Sequence, residues 1–536
     1  MAAAPAVSAL SSREIVIQRA MPVPNRSNFG IGIVGAMGLF GYGFLVSWAG
    51  GVNVADESWF LRVVDRILSG EILYRDVFCG VTPASVYLTA LVAAVLGAEI
   101  LVVKGLVALC FALTVILSCR LARQLDCGPG GSALLVLALV VYTAPLLHAV
   151  YQPMANVFFV ATFGAALCGI DRSAKQSGPG NDRSAIYALG GGLAAGLCFM
   201  TKQSIGAYAL VAFVLSLAVR PSTTRRDFLR AAFYSGLAFG LVSAGMLGPV
   251  YLSGAAASLV DYGFVNKVTY VQTAGISYLS HLFLLPALLQ TPSWAALRRF
   301  YVLAPYLLPP LVLGGALVVA WKERRERPTA LTVFFFAGAA FLGLFPRVDP
   351  DHFIYAMPPL FIGTGYVWRR LKPALSKSWT VGTVIALIAW LGVGLFGQIS
   401  KFGALATSAD DFSRLPHFRA ALIPAPQSAL IEARARALID EAANGPVFLL
   451  FPEAGFYYLI TGLKNPTPFA YPLITAFGLD GQERTRAAIA TGEIRSVCAR
   501  FDSGYGASLE PRLLQDYVKK TLAAVKDLGL CTVHRR

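Results

Sequence analysis

Charged side chains are scarce in this 536-residue chain: 14% are charged against 56% hydrophobic, and mean hydropathy is +0.63. Soluble domains carry roughly 25% charged residues, so an ordinary soluble protein is excluded. Cysteine is sparse too, with eight in all, and no metal-ligand spacing occurs among them. No internal repeat is visible, which counts against transporter folds built from repeats. A cleavable signal pattern is also missing, because the first apolar block starts late and runs to full span length. Residues 29–48 therefore read as an uncleaved signal anchor.

What the chain does have is a series of about eleven apolar blocks, each near the roughly 20 residues that cross a hydrocarbon core as a helix. They fall at 29–48, 100–119, 132–149, 154–171, 185–201, 204–219, 232–253, 301–320, 329–345, 353–368 and 379–399. From 402 onward polarity becomes ordinary, and the stretch is long enough to hold its own core. The expected organisation is a cytoplasmic segment 1–28, a membrane domain 29–401 and an extracytoplasmic α/β domain 402–536.

The 45 Lys and Arg against 29 Asp and Glu give a formal charge of +16. On a soluble protein that excess would suggest nucleic acid. Here the placement of the charge argues otherwise. One set of loops is basic, holding Arg13, Arg19 and Arg26; Arg120 and Arg123; Arg172, Lys175 and Arg183. The same set continues with Arg220, Arg225, Arg226 and Arg230, then Lys322 to Arg327 and Arg369 to Lys377. The alternate short connections are nearly free of cations, with Lys202 and Arg347 the notable exceptions. This alternation follows the positive-inside rule and puts the amino terminus in the cytoplasm. The expected location is a cell (inner or plasma) membrane, multi-pass, with membrane lipids as neighbours and no nucleic acid.

The first outside loop, 49–99, is long and structured. Residues 57–68 carry the 3.6-residue pattern of an interfacial helix. Residues 83–97 are apolar but short for a span and begin with Pro. Both read as juxtamembrane helices. Residues 254–300 form a second outside segment with aromatic and amphipathic character. In the tail, 446–452 reads as a buried strand, 453–462 as a short helix and 515–528 as an amphipathic helix before a last strand near Cys531. Cys498 and Cys531 lie on the oxidising side and are candidates for a disulfide.

Four polar features share the outer membrane edge. Asp56 and Glu57 follow the first span, where helix capping is the plain alternative. Lys202 lies between two apolar spans, either as a snorkelling anchor or as an anion ligand. Arg347, Asp349, Asp351 and His352 crowd one short loop, as an ion-paired turn or as donors to a divalent ion. Arg62, Asp65, Arg66, Arg75 and Asp76 lie in the first loop, with a solvated helix face as the alternative. A lipid-linked sugar phosphate needs cations to hold its phosphate as it leaves. The acceptor hydroxyl needs a carboxylate to take its proton. Asp56 fits that base, and Lys202 with Arg347 fits the phosphate clamp.

The string ADESWFLRVVDRILSGEILYRDVFCGVTPASVYLTALVAAVLG (55–97) resembles the first loop of GT-C superfamily glycosyltransferases, notably protein mannosyltransferases and aminoarabinose transferases. GLAAGLCFMTKQSIG (192–206), FPRVDPDHFIYAMPP (345–359) and EAGFYYLITGLKNPTPF (453–469) are similar to further segments of that family. The resemblance implies Asp56, with Glu57, as the catalytic acidic pair and Lys202 as the residue on the carrier phosphate. It implies a role for Tyr74, from a Gly-x-x-x-Tyr segment starting at Gly70. It further implies an inverting transfer from a polyprenyl-phosphate-linked sugar, with no cofactor. Where several relatives have a second carboxylate, this chain reads YQPMANVF (151–158), and Asn156 is neither acid nor base. Gln152 and Tyr151 are left as sugar-binding candidates there. The substrate-binding set expected is thus Lys202, Arg347, Arg75, Tyr74, Gln152 and His352. The acceptor is left open among lipid, glycan and protein hydroxyls. A transporter or lipid flippase is the alternative; it would want paired ionisable groups near the midplane, and the spans hold little charge beyond Lys104.

Overall fold

A computed structural model describes residues 26–175, 184–221, 224–290, 293–374, 376–407, 410–502, 504 and 506–536. Arg13, Arg19 and Arg183, and the side chains of Arg26, Arg172 and Lys175, lie outside the described residues. The described chain is mostly helical.

It opens with α1 (Arg26–Ala49), followed by α2 (Asp56–Leu68) and α3 (Ala84–Leu96). The bundle continues with α4 (Ile100–Gln124), α5 (Pro129–Thr143), α6 (Tyr151–Lys175), α7 (Ser184–Thr201), α8 (Gln203–Ala218) and α9 (Arg225–Leu252). Short helices α10 (Ala256–Val260), α11 (Lys267–Ala274), α12 (Tyr278–Gln290) and α13 (Trp294–Leu303) follow. Then come α14 (Leu308–Lys322), α15 (Arg327–Leu342), α16 (Pro350–Phe353), α17 (Met357–Leu371) and the long α18 (Lys377–Thr407). Each block read as a span is mainly helical, although 147–149, 343–345 and 354–356 lie outside the helices. Seven stretches among the described residues are long and apolar enough to cross a membrane, and α7, α8 and α15 are shorter apolar helices. Large apolar side chains such as Leu113, Leu241, Ile385 and Ile388 stay exposed on the bundle, as lipid-facing positions do in a multi-pass protein.

The two juxtamembrane helices form where their periodicity calls for them. In α2 the spacing of Phe60, Leu61, Val63 and Val64 buries one face. In α3, Ala84, Thr89, Ala90 and Ala93 are buried while Leu91, Val95 and Leu96 stay exposed. Pro83 opens it, and Gly97 ends it at φ +91, a backbone region that L side chains avoid.

After α18 the chain becomes α/β, with a short hairpin of β1 (Asp410–Phe412) and β2 (Leu422–Pro424) and then α19 (Ala425–Ala442). Next come β3 (Val447–Leu450), α20 (Ala454–Thr461), α21 (Gly481–Thr491), β4 (Ser496–Ala499), α22 (Arg512–Thr521), β5 (Ala523–Asp527) and β6 (Thr532–Arg535). The sheet order is β3-β4-β6-β5, with β3 and β4 parallel and the other pairs antiparallel. A disulfide joins Cys498 to Cys531. The helix expected over 515–528 is corrected: α22 stops at Thr521, and 523–527 is a strand. The antiparallel partner β6, reached through a turn with Gly529 at φ +68, takes the backbone hydrogen bonds a helix would have kept. A local pattern carries no information about that pairing.

The tail shares one continuous hydrophobic core with the bundle. It seats on α2 through Gly455, where a Cβ would stand 3.2 Å from the Trp59 Cα and 3.3 Å from the Ser58 carbonyl. Arg66, buried on α2, donates to the Thr467 carbonyl at 3.0 Å and pairs with Glu71. Phe78 N donates to the Pro468 carbonyl at 3.0 Å.

One buried ion pair ties the start of the bundle together. Lys104 of α4 reaches Glu57 of α2 at 2.7 Å and the Ser47 carbonyl of α1 at 3.1 Å, with Glu57 2% and Lys104 3% exposed. The other Glu57 oxygen accepts from the Asn53 backbone N–H at 2.9 Å. Removing one member of such a pair strands the other charge in a dry site. Lys104→Met is expected to lower stability by about 3–5 kcal/mol, read from chemical unfolding in detergent. The Glu57→Gln/Lys104→Met double variant should recover most of that loss.

Candidate active site

A cavity of about 450 Å³ opens where α2, the α7–α8 junction, α11, the 345–355 segment and the tail meet. Asp56, Gln152, Lys202, Arg347 and His352 all line it. These five positions lie up to 296 residues apart in sequence (56 to 352).

Asp56 begins α2, and its carboxylate is not used as a cap. The Asn53 side chain caps instead, accepting from the N–H groups of Ala55 (3.1 Å) and Asp56 (2.9 Å). Asp56 Oδ2 accepts from Asn53 Nδ2 at 3.2 Å, and Oδ1 accepts from the Tyr471 hydroxyl at 3.0 Å. Tyr471 belongs to the tail, so the tail completes the setting of this carboxylate. Half-buried, Asp56 is held on two sides and open on the cavity side.

Lys202 occupies a break between α7 and α8, extended at φ −148 and ψ 105. The sharp junction depends on Gly206, where any Cβ would overlap the Phe199 backbone. The ammonium lies over the rings of Tyr151 (5.3 Å) and Tyr355 (5.9 Å), a setting that attracts a cation without neutralising it. Lys267, first residue of α11, donates to the Gly80 carbonyl at 2.7 Å. None of the ion pairs among the described residues involves either lysine. Burial, with the Lys267 charge adding to it, pushes the Lys202 amine down to about 7, and burial pushes Lys267 down to about 8. Two cations facing a cavity without carboxylate partners leave an unmet demand for an anion.

The 347–352 loop forms the opposite wall. Arg347 pairs with Asp349 at 2.5 Å, and Asp349 accepts from His352 Nδ1 at 2.7 Å and from the His352 backbone N–H at 2.8 Å. His352 Nε2 is 3.2 Å from the Tyr270 hydroxyl. Burial works against the Asp349 charge, but His352 and Arg347 outweigh it and hold that carboxyl well below the usual range. Gln152 donates to the Asp351 carbonyl at 3.2 Å, which fixes the loop against α6. Asn156 lies outside the cavity and donates to the Ile354 carbonyl at 3.1 Å. Among the described residues, no three His, Cys, Asp or Glu side chains gather as a metal site would require.

Three expected site residues do not line the cavity. Glu57 is adjacent to Asp56, but successive helical residues point about 100° apart, and it is committed to Lys104. Tyr74 is fully buried at φ +70, donating to the Val81 carbonyl at 2.7 Å, so it shapes the first loop. Arg75 faces solvent and pairs with its neighbour Asp76 at 2.9 Å. Arg62, with Asp65, and Arg66 likewise serve the contact between loop and tail. Conversely, Lys267, Tyr270, Tyr355 and Tyr471 line the cavity without having been singled out. Lys267 had one available signal: it is the one Lys or Arg between Arg230 and Arg298 in the sequence.

The fold and cavity together define a multi-pass helical membrane protein with a polar cavity lined by Asp56, Lys202 and Lys267. No protein-family model and no curated protein matches the chain. Among solved structures it is similar to ArnT from Cupriavidus metallidurans bound to undecaprenyl phosphate. That similarity has a TM-score of 0.49 and 16% identity, covering 94% of this chain and 98% of that one. It is also similar to the arabinofuranosyltransferase AftD from Mycobacteria, with a TM-score of 0.46 and 14% identity over 92% of this chain and 37% of that one.

Lys202 and Lys267 are cationic below their lowered pKa values and lose charge as pH rises through about 7 and about 8. Affinity for an alkyl phosphate should therefore fall between pH 7 and 9, by up to about tenfold per pH unit for each lysine that has to be charged. Calorimetric titration across that range tests it; the Lys202→Met variant should bind more weakly at pH 6 and show a shallower pH dependence.

Proposed function

We propose that the protein is a glycosyltransferase that moves a sugar from a polyprenyl-phosphate carrier to an acceptor hydroxyl on the extracytoplasmic side of the membrane. The observation that carries this reading is one cavity lined both by Asp56 and by two lysines that make no ion pair among the described residues. An anionic leaving group and a proton to be removed are the two demands such a pairing meets.

In the proposed reaction the carrier phosphate rests on Lys202 and Lys267, with Arg347 at the loop side. The acceptor oxygen attacks the anomeric carbon while its proton passes to the Asp56 carboxylate. The bond from anomeric carbon to phosphate oxygen breaks, and its electron pair stays on the phosphate, whose charge the cations hold. Attack from the face opposite the leaving phosphate inverts the anomeric centre, through an oxocarbenium-like transition state. Tyr471 and Asn53 keep the carboxylate aimed, and Gln152 and His352 are placed to hydrogen-bond sugar hydroxyls. No metal or other cofactor is required for these steps.

The orientation proposed has the amino terminus in the cytoplasm and the 402–536 α/β part outside, with the cavity at the outer membrane edge. The positive-inside pattern supports it, since in the order of the chain the basic loops alternate with the connections that carry Asp56, Lys202 and Arg347. The transporter reading loses support from Lys104: the charge held within the α4 span is neutralised by Glu57 and buried, so it is not free to move with a cargo.

Asp56→Asn should reduce transfer by about 10²–10⁴-fold while the protein still inserts and unfolds at its usual temperature. Turnover at the original rate would remove Asp56 from the role of base. Lys202→Ala should raise the apparent KM for the lipid-phosphate sugar well above any change in the acceptor KM. Equal changes in both would remove Lys202 from the phosphate.

A further inference from the structure

A second and larger cavity, of about 720 Å³, lies at the same end of the bundle, between the end of α1, the α13 segment and α18. Val46, Pro145, Leu146, Val302 and Val393 make its wall largely apolar. Three cations rim it: Arg298 and Arg299 on α13 and Lys401 on α18. All three are exposed, and none of the ion pairs among the described residues involves them. His281 also lines it, and its Nε2 is buried without a hydrogen-bond partner. These three cations are separate from Lys202, Lys267 and Arg347, which line the other cavity at this end of the bundle.

The α18 surface here is made by glycines. Gly394 lets the Tyr301 ring approach, since a Cβ there would stand 2.6 Å from it. One turn on, Gly397 lines the cavity, and a Cβ on it would meet nothing within 4 Å. The space is therefore left open by the absence of a side chain, with no packing defect around it.

We propose that this cavity is a binding site for an anionic glycerophospholipid of the adjoining leaflet. Its acyl chains fill the apolar wall, and its phosphate is held at the rim by Arg298, Arg299 and Lys401. The exposure of the cations selects this occupant. A leaflet lipid keeps its phosphate at the interface, where guanidinium groups can grip it as forks. A carrier phosphate that must react has to reach Asp56, in the other cavity, where the lysines are buried. The bound lipid would wedge together α1, α13 and α18, and α1 leads directly into the turn that sets Asp56.

The test uses full-length protein, delipidated in detergent and titrated with phosphatidylglycerol, with retained lipid counted by native mass spectrometry. The protein should retain phosphatidylglycerol in preference to phosphatidylcholine. Arg298→Ala/Arg299→Ala should weaken retention by about tenfold or more, from loss of charge-assisted contacts. Gly397→Leu, whose Cβ meets nothing within 4 Å and whose side chain would occupy the cavity, should abolish retention while leaving the unfolding temperature unchanged. Lys202→Met, in the other cavity, should retain the lipid normally. Equal retention of both lipids, or retention unaffected by the arginine and Gly397 variants, would overturn the proposal. So would a prenyl phosphate that displaces phosphatidylglycerol in an Arg298- and Arg299-dependent way, since the rim would then serve the carrier lipid.

Discussion

The buried contact between Glu57 and Lys104 is the constraint on which the arrangement of the site rests. Lys104 joins α4 to α2 by its ion pair and to α1 by the Ser47 carbonyl. Glu57 in turn receives the Asn53 backbone N–H, and the Asn53 side chain closes the first turn of α2 and touches Asp56. Charge buried at 3% exposure or less tolerates one arrangement of its partners, because any other leaves an ion dry and unpaired. The turn between the first helix and the amphipathic helix is thereby fixed, and the direction of Asp56 follows from it.

The tail does more than cover the bundle. Its backbone carbonyls satisfy Arg66 and the Phe78 N–H, its Gly455 allows α20 to lie against α2, and its Tyr471 donates to Asp56. The continuous core makes the division at residue 402 a change of composition, with packing running through it. A disturbance in the tail would therefore be transmitted to the carboxylate through one hydroxyl and one helix contact.

Charge is distributed in the site with a purpose that local sequence hides. The 347–352 loop neutralises itself through Arg347, Asp349 and His352, so it contributes hydrogen-bonding atoms and a partly engaged guanidinium. Lys202 and Lys267 have aromatic faces and a carbonyl for company, and so retain their attraction for an anion. This asymmetry leaves the two lysines without an acid partner while the 347–352 loop is set by internal pairing. Residues from 55–97, 192–206 and 345–359 line this cavity, and the tail lines it from Tyr471 onward, just after the 453–469 stretch that carries α20.

Sequence alone determined the membrane character of the chain, the placing of its apolar helices, the amphipathic α2 and the first strand and helix of the tail. Those follow from hydropathy, periodicity and loop charge, which act over one or two turns of chain. It also picked out Asp56 and Lys202, because an ion at a membrane edge is costly enough to stand out. Only the tertiary structure separated Asp56 from Glu57, since one residue of helical rotation sends the first into the cavity and the second onto Lys104. It placed Tyr74 and Arg75 outside the cavity, brought Lys267 and Tyr471 to it from distant segments, and turned 523–527 into a strand. Each of those outcomes depends on a partner far along the chain, and pairing at that range is decided by packing and desolvation across the whole fold.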